Sequence, residues 1–153
     1  MPELNQPVEN MSLPATGEQE IGIADFKGSN LVLYFYPKDN TPGCTRESEA
    51  FRDHHEAFRQ ANTAILGVSR DSLKSHEKFR AKHELPFDLL ADTQERLCEY
   101  FGVIKQKNKY GRQVRGIERS TFLIDADGIL RREWRGIKVP GHVEEVLAAT
   151  RKL

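Results

Sequence analysis

The chain has two cysteines in 153 residues, no net charge and no long apolar run. Each shortage removes a class of protein. Two cysteines cannot build the disulfide framework that staples small secreted domains. Lysine plus arginine equals aspartate plus glutamate at 23 each, so no charge excess points to nucleic acid or an anionic membrane as a partner. No apolar run approaches the ~18 residues of a membrane span. The opening Met1-Pro-Glu-Leu-Asn-Gln-Pro-Val8 lacks the basic and apolar regions of a secretory signal. These absences predict a soluble protein of a reducing, cytoplasmic compartment, in which a special cysteine is a matter of chemistry rather than stapling. A length of 153 residues predicts one domain, residues 1–153, with an ordinary buried core.

The stretch that stands out is Leu31 to Arg46. Leu31 to Tyr36 is an unbroken apolar and aromatic run, the pattern of an interior strand covered on both faces. Pro37 cannot donate to a sheet ladder and ends it. Thr41-Pro42 then reads as a helix start, with Thr41 as N-cap and Pro42 in the first helical position. Cys44 becomes the third helical residue, near N–H groups that have no partner within the helix and at the positive end of its dipole. A capping box would place an anionic glutamate there; a thiolate can take the same place. Helix ends and nearby cations favour the thiolate form of cysteines in general, and Gly43 lets a small molecule come close to the backbone.

Around this stretch the chain alternates strand and helix. Met11-Ser-Leu-Pro14 and Glu20-Ile-Gly-Ile23 suggest a short edge hairpin. Ala50, Phe51, His54, Phe58 and Ala61 share a helical face, which predicts one helix from about Pro42 to Gln60. Ala64 to Ser69 is a second buried strand, followed by a helix with Leu73, Phe79 and His83, capped by Asp71 or Ser72. Phe87 to Ala91 is a third strand, and Asp92 or Thr93 opens a short helix with Leu97, Cys98, Tyr100 and Phe101, closed by Gly102. Lys105 to Arg115 reads as a basic loop. Arg119 to Asp125 and Ile129 to Trp134 flank an Asp-Gly hairpin turn, and a helix with Val143, Val146 and Leu147 ends the chain. The order predicts an α/β fold with a central mixed sheet.

Several cysteine chemistries are excluded by spacing. A dithiol oxidoreductase needs Cys-x-x-Cys, and the chain reads Cys44-Thr-Arg-Glu47. A Cys-x5-Arg phosphate loop would need arginine at position 50, which is Ala50. The histidines at 54, 55, 76, 83 and 142 lack metal-ligand spacing, read as surface or core-edge residues, and predict neither metal nor cofactor.

Pro37-x-x-x-Thr41-x-x-Cys44 resembles the active-site signature of the peroxiredoxins, thiol peroxidases with a thioredoxin-like fold. The longer Phe35-Tyr-Pro-Lys-Asp-Asn-Thr-Pro-Gly-Cys-Thr-Arg-Glu47 is similar to the bacterioferritin comigratory protein branch, also called peroxiredoxin Q. Leu89-Leu-Ala-Asp92, Phe101-Gly-Val103, Gly116-Ile-Glu-Arg-Ser-Thr-Phe-Leu-Ile-Asp125 and Lys138-Val-Pro-Gly-His142 agree in order. The resemblance implies a thioredoxin-like (peroxiredoxin) fold with an N-terminal β-hairpin. It also implies that Cys44 attacks a hydroperoxide and becomes a sulfenic acid. By the same resemblance the leaving oxygen is stabilised by the Thr41 hydroxyl, the Gly43 and Cys44 N–H groups and Arg119, and Pro37 shields the sulfur. Glu47 is either part of that network or an acid favoured by the helix end.

Relatives of this kind reset with a second cysteine five residues on, in the next helix or near the C-terminus. Position 49 is Glu49, the helix from Ser72 to His83 has no cysteine, and none follows Cys98. Cys98 is thus the one internal candidate for resolving Cys44, although its place beside Leu97 and Phe101 also suits a packed structural thiol. The expectation is a one-cysteine peroxidase, monomeric, reduced by thioredoxin or by glutathione with glutaredoxin. The alternatives are resolution by Cys98, or a redox sensor that does not turn over.

Overall fold

The computed structural model describes residues 1–153 apart from the side chain of residue 109. At its centre lies β3 (Asn30–Phe35), whose side chains are buried from Leu31 onward. Because successive strand residues point to opposite faces, this one run supplies two cores. Leu31, Leu33 and Phe35 enter one apolar cluster; Val32, Tyr34 and Tyr36 enter the other.

The strand pairs in parallel with β4 (Thr63–Ser69), which pairs in parallel with β5 (Asp88–Ala91). On its other side it pairs antiparallel with β8 (Ser120–Ile124), itself antiparallel to β9 (Leu130–Arg135). The expected N-terminal hairpin forms as β1 (Ser12–Ala15) and β2 (Gln19–Gly22), and β1 joins β5 at the edge. The sheet order is β2-β1-β5-β4-β3-β8-β9, a mixed sheet as the strand–helix alternation predicted.

One face carries α1 (Pro42–Asp53), α2 (His55–Gln60), α3 (Leu73–Lys82) and α5 (His142–Thr150). These supply Phe51, Phe58, Phe79 and Val143 to the cluster that holds Tyr34 and Tyr36. The other face carries the N-terminal hairpin and α4 (Arg96–Tyr100), with Leu97, Cys98 and Phe101 in the opposite cluster. Each fully buried aromatic ring stabilises the fold by about 1.5–3 kcal/mol. Among the described residues no helix is long and apolar enough to cross a membrane.

Three local expectations are corrected. The predicted helix from Pro42 to Gln60 is two helices, broken at His54 (φ −100°, ψ 5°). There the His54 amide donates to Ala50 O at 3.2 Å, and the ring Nδ1 lies 2.9 Å from the same carbonyl. A side chain competing for a helical carbonyl is a known way to interrupt a helix. The predicted basic loop is a second hairpin, β6 (Ile104–Lys109) and β7 (Arg112–Ile117), in full antiparallel register. Its two-residue turn places Tyr110 (φ 54°) and Gly111 (φ 75°) in the left-handed region, the type I′ geometry that matches strand twist. The short helix after β5 begins at Arg96 rather than at Asp92 or Thr93, with Glu95 left-handed before it. Asp92 still contributes, since its Oδ2 accepts from Cys98 N at 2.7 Å.

Gly67 on β4 sits between Tyr34 and Leu89 in the pairing register. A Cβ there would lie 2.7 Å from Leu89 Cδ2 and 2.8 Å from Tyr34 Cζ, closer than packed carbon atoms approach. Gly67→Ala is expected to destabilise the fold by about 1–3 kcal/mol, read as a lower urea midpoint. An unchanged midpoint would show that the Tyr34 side of the sheet has slack.

Candidate active site

The first turn of α1 is aimed by its own sequence. Cys44, Glu47, Ser48 and Phe51 are its buried residues, at the i, i+3, i+4, i+7 spacing of one helical face. Phe51 stacks on Tyr34 with ring centroids 4.6 Å apart, and Ser48 Oγ lies 2.9 Å from Tyr34 Oη. These two contacts fix the rotation of the helix on β3, so Cys44 faces the sheet and is 1% exposed.

Thr41 holds the N-cap position (φ −83°, ψ 149°) and Pro42 follows it, as predicted, but the Thr41 side chain does not cap. Its hydroxyl donates to Lys38 O at 2.8 Å. The capping expectation is corrected in that respect. The hydroxyl proton serves the preceding turn, and the oxygen keeps lone pairs for an incoming O–H. The N–H groups of Gly43 and Cys44 belong to the first helical turn, which has no intrahelical acceptor.

Arg119 reaches this point because of strand register. Phe35 pairs with Ser120 across β3 and β8, so Arg119 stands one residue beyond that pair, where β3 gives way to the loop before α1. Its Nη2 lies 3.4 Å from Cys44 Sγ, and its Nη1 donates to Glu47 Oε1 at 2.7 Å. An ideal Cβ at position 43 would lie 3.2 Å from Arg119 Nη2, so glycine gives the guanidinium its room. The sequence-predicted residues Thr41, Gly43, Cys44 and Arg119 therefore converge on one helix start. Pro37 is half-buried at the end of β3.

Glu47 is fully buried, and its Oε2 has no hydrogen-bond partner among the described residues. Burial pushes its carboxyl up to about 7 against the opposing pull of Arg119. Burial also acts to lower the Arg119 value, but the Glu47 and Cys44 interactions outweigh it and hold the guanidinium protonated.

Cys98 is not brought near this site. It is fully buried on α4, in the cluster on the opposite face of the sheet from Cys44. Burial first, and then the Asp92 carboxylate beside it, push its thiol well above the ordinary range. It is a poor nucleophile in this environment.

Sequence reasoning missed two buried residues. His76, read as a surface or core-edge histidine, is fully buried with Nδ1 2.8 Å from Asp39 Oδ2. The available signal was its position three residues before Phe79, on the apolar face of α3. His142 is also buried, bonded through Nε2 to Thr121 Oγ1 at 2.9 Å, and burial lowers its pKa to about 4. Asp39, Asp71 and His76 bring one ligand-type atom each within 4.8 Å of one another, but hydrogen bonds between Asp39 and His76 and from them to Tyr36, Ser75 and Leu90 occupy their atoms.

The comparisons with known proteins agree with this geometry. The AhpC/TSA family model matches residues 4–133. Peroxiredoxin Bcp of Bacillus subtilis is 49% identical over 145 residues, covering 95% of this chain and 92% of that protein. Among solved structures, the bacterioferritin comigratory protein of Xanthomonas campestris, from work on its alkyl peroxide reduction activity, superposes with a TM-score of 0.89. It is 48% identical over 93% of this chain and 90% of the other. A mutant of Xylella fastidiosa PrxQ reaches a TM-score of 0.94 at 43% identity, covering 99% of this chain and 97% of that one. A thiol at a helix start beside an arginine at the entry to β8, on this sheet and with these relatives, places the chain in the AhpC/TSA family. It is a thiol-dependent peroxidase, a peroxiredoxin of the bacterioferritin comigratory protein (peroxiredoxin Q) type.

Proposed function

We propose that Cys44 is the peroxidatic residue of a one-cysteine, cytoplasmic, monomeric peroxidase that acts on hydrogen peroxide and organic hydroperoxides. The observation that carries this reading is the Arg119 guanidinium 3.4 Å from a buried sulfur at a helix start. The thiolate attacks the terminal oxygen of the hydroperoxide and the O–O bond breaks. Its electron pair leaves on the second oxygen, which takes up a proton and departs as alcohol or water. Sulfur is left as sulfenic acid.

Charge grows on the leaving oxygen, where preorganised donors act most strongly. Arg119 and the Gly43 and Cys44 N–H groups are the donors. Thr41, with its proton on Lys38 O, accepts the hydroperoxide O–H, and Pro37 screens the sulfur from water. One thiol molecule then attacks the sulfenic sulfur, forming a disulfide and releasing water. A second thiol reduces that disulfide and restores Cys44. The reductant is thioredoxin, or glutathione with glutaredoxin. The opposite-face position of Cys98 and its raised thiol pKa support an external rather than an internal thiol.

In steady-state assays Cys44→Ser is expected to abolish peroxide consumption. Arg119→Ala is expected to slow the peroxide step by about tenfold or more, as loss of one transition-state donor does. An unchanged Arg119→Ala rate would remove the arginine from the mechanism. Cys98→Ser should keep its turnover, and mass spectrometry after one equivalent of peroxide should find no Cys44–Cys98 disulfide before any external adduct. Finding that bridge first would overturn the one-cysteine cycle.

Glu47 competes with the sulfur for Arg119, and its proton decides how strongly. The folded carboxyl holds its proton up to about pH 7, against an ordinary glutamate value of 4.5. The native state therefore binds more protons than the unfolded chain between those values. The stability this contributes is present below 4.5 and is lost as pH rises through 7. Glu47→Gln keeps an oxygen for Arg119 and removes the titration. Relative to the parent, it is expected to gain on the order of 2–3 kcal/mol of stability between pH 5 and pH 8. Urea titrations at both pH values measure this, and parallel pH profiles would mean that Glu47 does not titrate in this range.

A further inference from the structure

The proposed mechanism leaves one buried polar assembly without a task. Asp39 stands in the loop between β3 and α1, two residues before Thr41, and is 4% exposed. Its Oδ1 accepts from Tyr36 Oη at 2.7 Å; its Oδ2 accepts from Ser75 Oγ at 2.8 Å and faces His76 Nδ1 at 2.8 Å. On the far side of the ring, His76 Nε2 lies 2.9 Å from Leu90 O on β5. A carbonyl only accepts, so Nε2 carries a hydrogen; an ionised carboxylate also only accepts, so Nδ1 carries one too. The two side chains form an ion pair that is almost wholly buried. Burial alone would raise the Asp39 carboxyl, but the bonds from His76, Tyr36 and Ser75 outweigh it and hold it below the usual range.

The position of this pair gives it leverage. Among the described residues, every hydrogen bond from residues 37–41 to α3 and the chain just before it is made by Asp39. These are the side-chain bonds to Ser75 and His76, and its N–H to Asp71 Oδ2 at 2.9 Å. Thr41 bonds back to Lys38 O within the loop, while Lys38 and Asn40 are exposed. The same loop leads into the turn that holds Cys44, which is 1% exposed. A hydroperoxide is small enough to meet the sulfur with the loop closed. The thiol of a peptide or protein must bring its own sulfur into contact with Cys44 Sγ, and the loop has to move aside for it.

We propose that the Asp39–His76 ion pair is the latch of the Cys44 loop, holding the closed form that reacts with peroxide and limiting the open form that reacts with thiol. This inference rests on the reading of Cys44 as the peroxidatic residue. Asp39 and His76 are positioning residues, since neither touches the sulfur. Tightening the latch favours the first half of the cycle and loosening it favours the second.

The test separates the two half-reactions in the full chain. Rapid-quench mass spectrometry follows oxidation of Cys44 by hydrogen peroxide, and then the reaction of the oxidised chain with glutathione. In Asp39→Asn and in His76→Gln the peroxide step is expected to slow by about tenfold or more, the effect of losing a hydrogen bond between charged groups. The glutathione step is expected to quicken severalfold. Both steps slowing together would mark a merely structural role and overturn the latch, as would no change in either. If the parent chain shows no oxidation at Cys44, it is the active-site reading that falls.

Should both variants fail to fold, Ser75→Ala removes one neutral donor to the same carboxylate. It is expected to shift the two rates in the same opposed directions by smaller factors, and to speed hydrogen exchange over residues 38–45 while leaving β3 and β4 unchanged. Unaltered exchange in that segment together with unaltered rates would overturn the proposal.

Discussion

The arrangement at the start of α1 depends on one half-buried positive charge facing two buried groups that can be negative. Arg119 touches Cys44 Sγ through one nitrogen and Glu47 Oε1 through the other. A thiolate and a carboxylate together would leave the trio with a net negative charge in a largely buried place, which is costly. Burial resolves the conflict by pushing the Glu47 carboxyl up to about 7. The carboxyl can then remain neutral while the sulfur carries the charge, and Arg119 serves the sulfur. On the proposed mechanism Glu47 regulates how much of the cation Cys44 receives. The unpartnered Oε2 is where a neutral carboxyl can carry its proton.

That charge is delivered by sheet geometry. Arg119 and Cys44 are 75 residues apart, and their meeting depends on β8 running antiparallel to β3 with Phe35 opposite Ser120. A one-residue slip would send Arg119 to the other face of the sheet. Register is secured because β3 is buried on both faces, with Leu31, Leu33 and Phe35 on one side and Val32, Tyr34 and Tyr36 on the other. Tyr34 also carries Ser48 and Phe51 of α1, so the strand that aligns the arginine also aligns the cysteine.

Much of this was legible in the sequence where the cause is local. The β3 run, the stop at Pro37, the start of α1 at Pro42 and the Asp-Gly turn between β8 and β9 follow from neighbours along the chain. The departures lie where a distant or competing partner decides. Thr41 has the right residue type and backbone for a cap, yet Lys38 O takes its hydroxyl. His54 continues the apolar pattern of a long helix, yet its ring turns back on Ala50 O and breaks it. The polar residues of β6 and β7 resemble a loop because their pairing rests on the backbone ladder and a Tyr-Gly turn rather than on an apolar face. The role of Glu47 stayed open between the site's network and a helix-end acid, and His76 read as a surface or core-edge residue, since nothing next to them in sequence reveals Arg119 or Asp39.

The two cysteines show how one sheet can separate reactivity from packing. Cys44 lies on the face that also receives α1, α3 and Arg119; Cys98 lies on the opposite face beside Leu97 and Phe101. A bridge between them would require more than unwinding the first turn of α1, because the sheet stands between the two thiols. What α3 presents to the Cys44 loop is Ser75 and His76, groups that bind by hydrogen bonds and charge. A loop held by such contacts can open and close without a change in covalent structure. That behaviour suits the cycle proposed for Cys44, in which the sulfur is enclosed for a small oxidant and uncovered for a larger thiol.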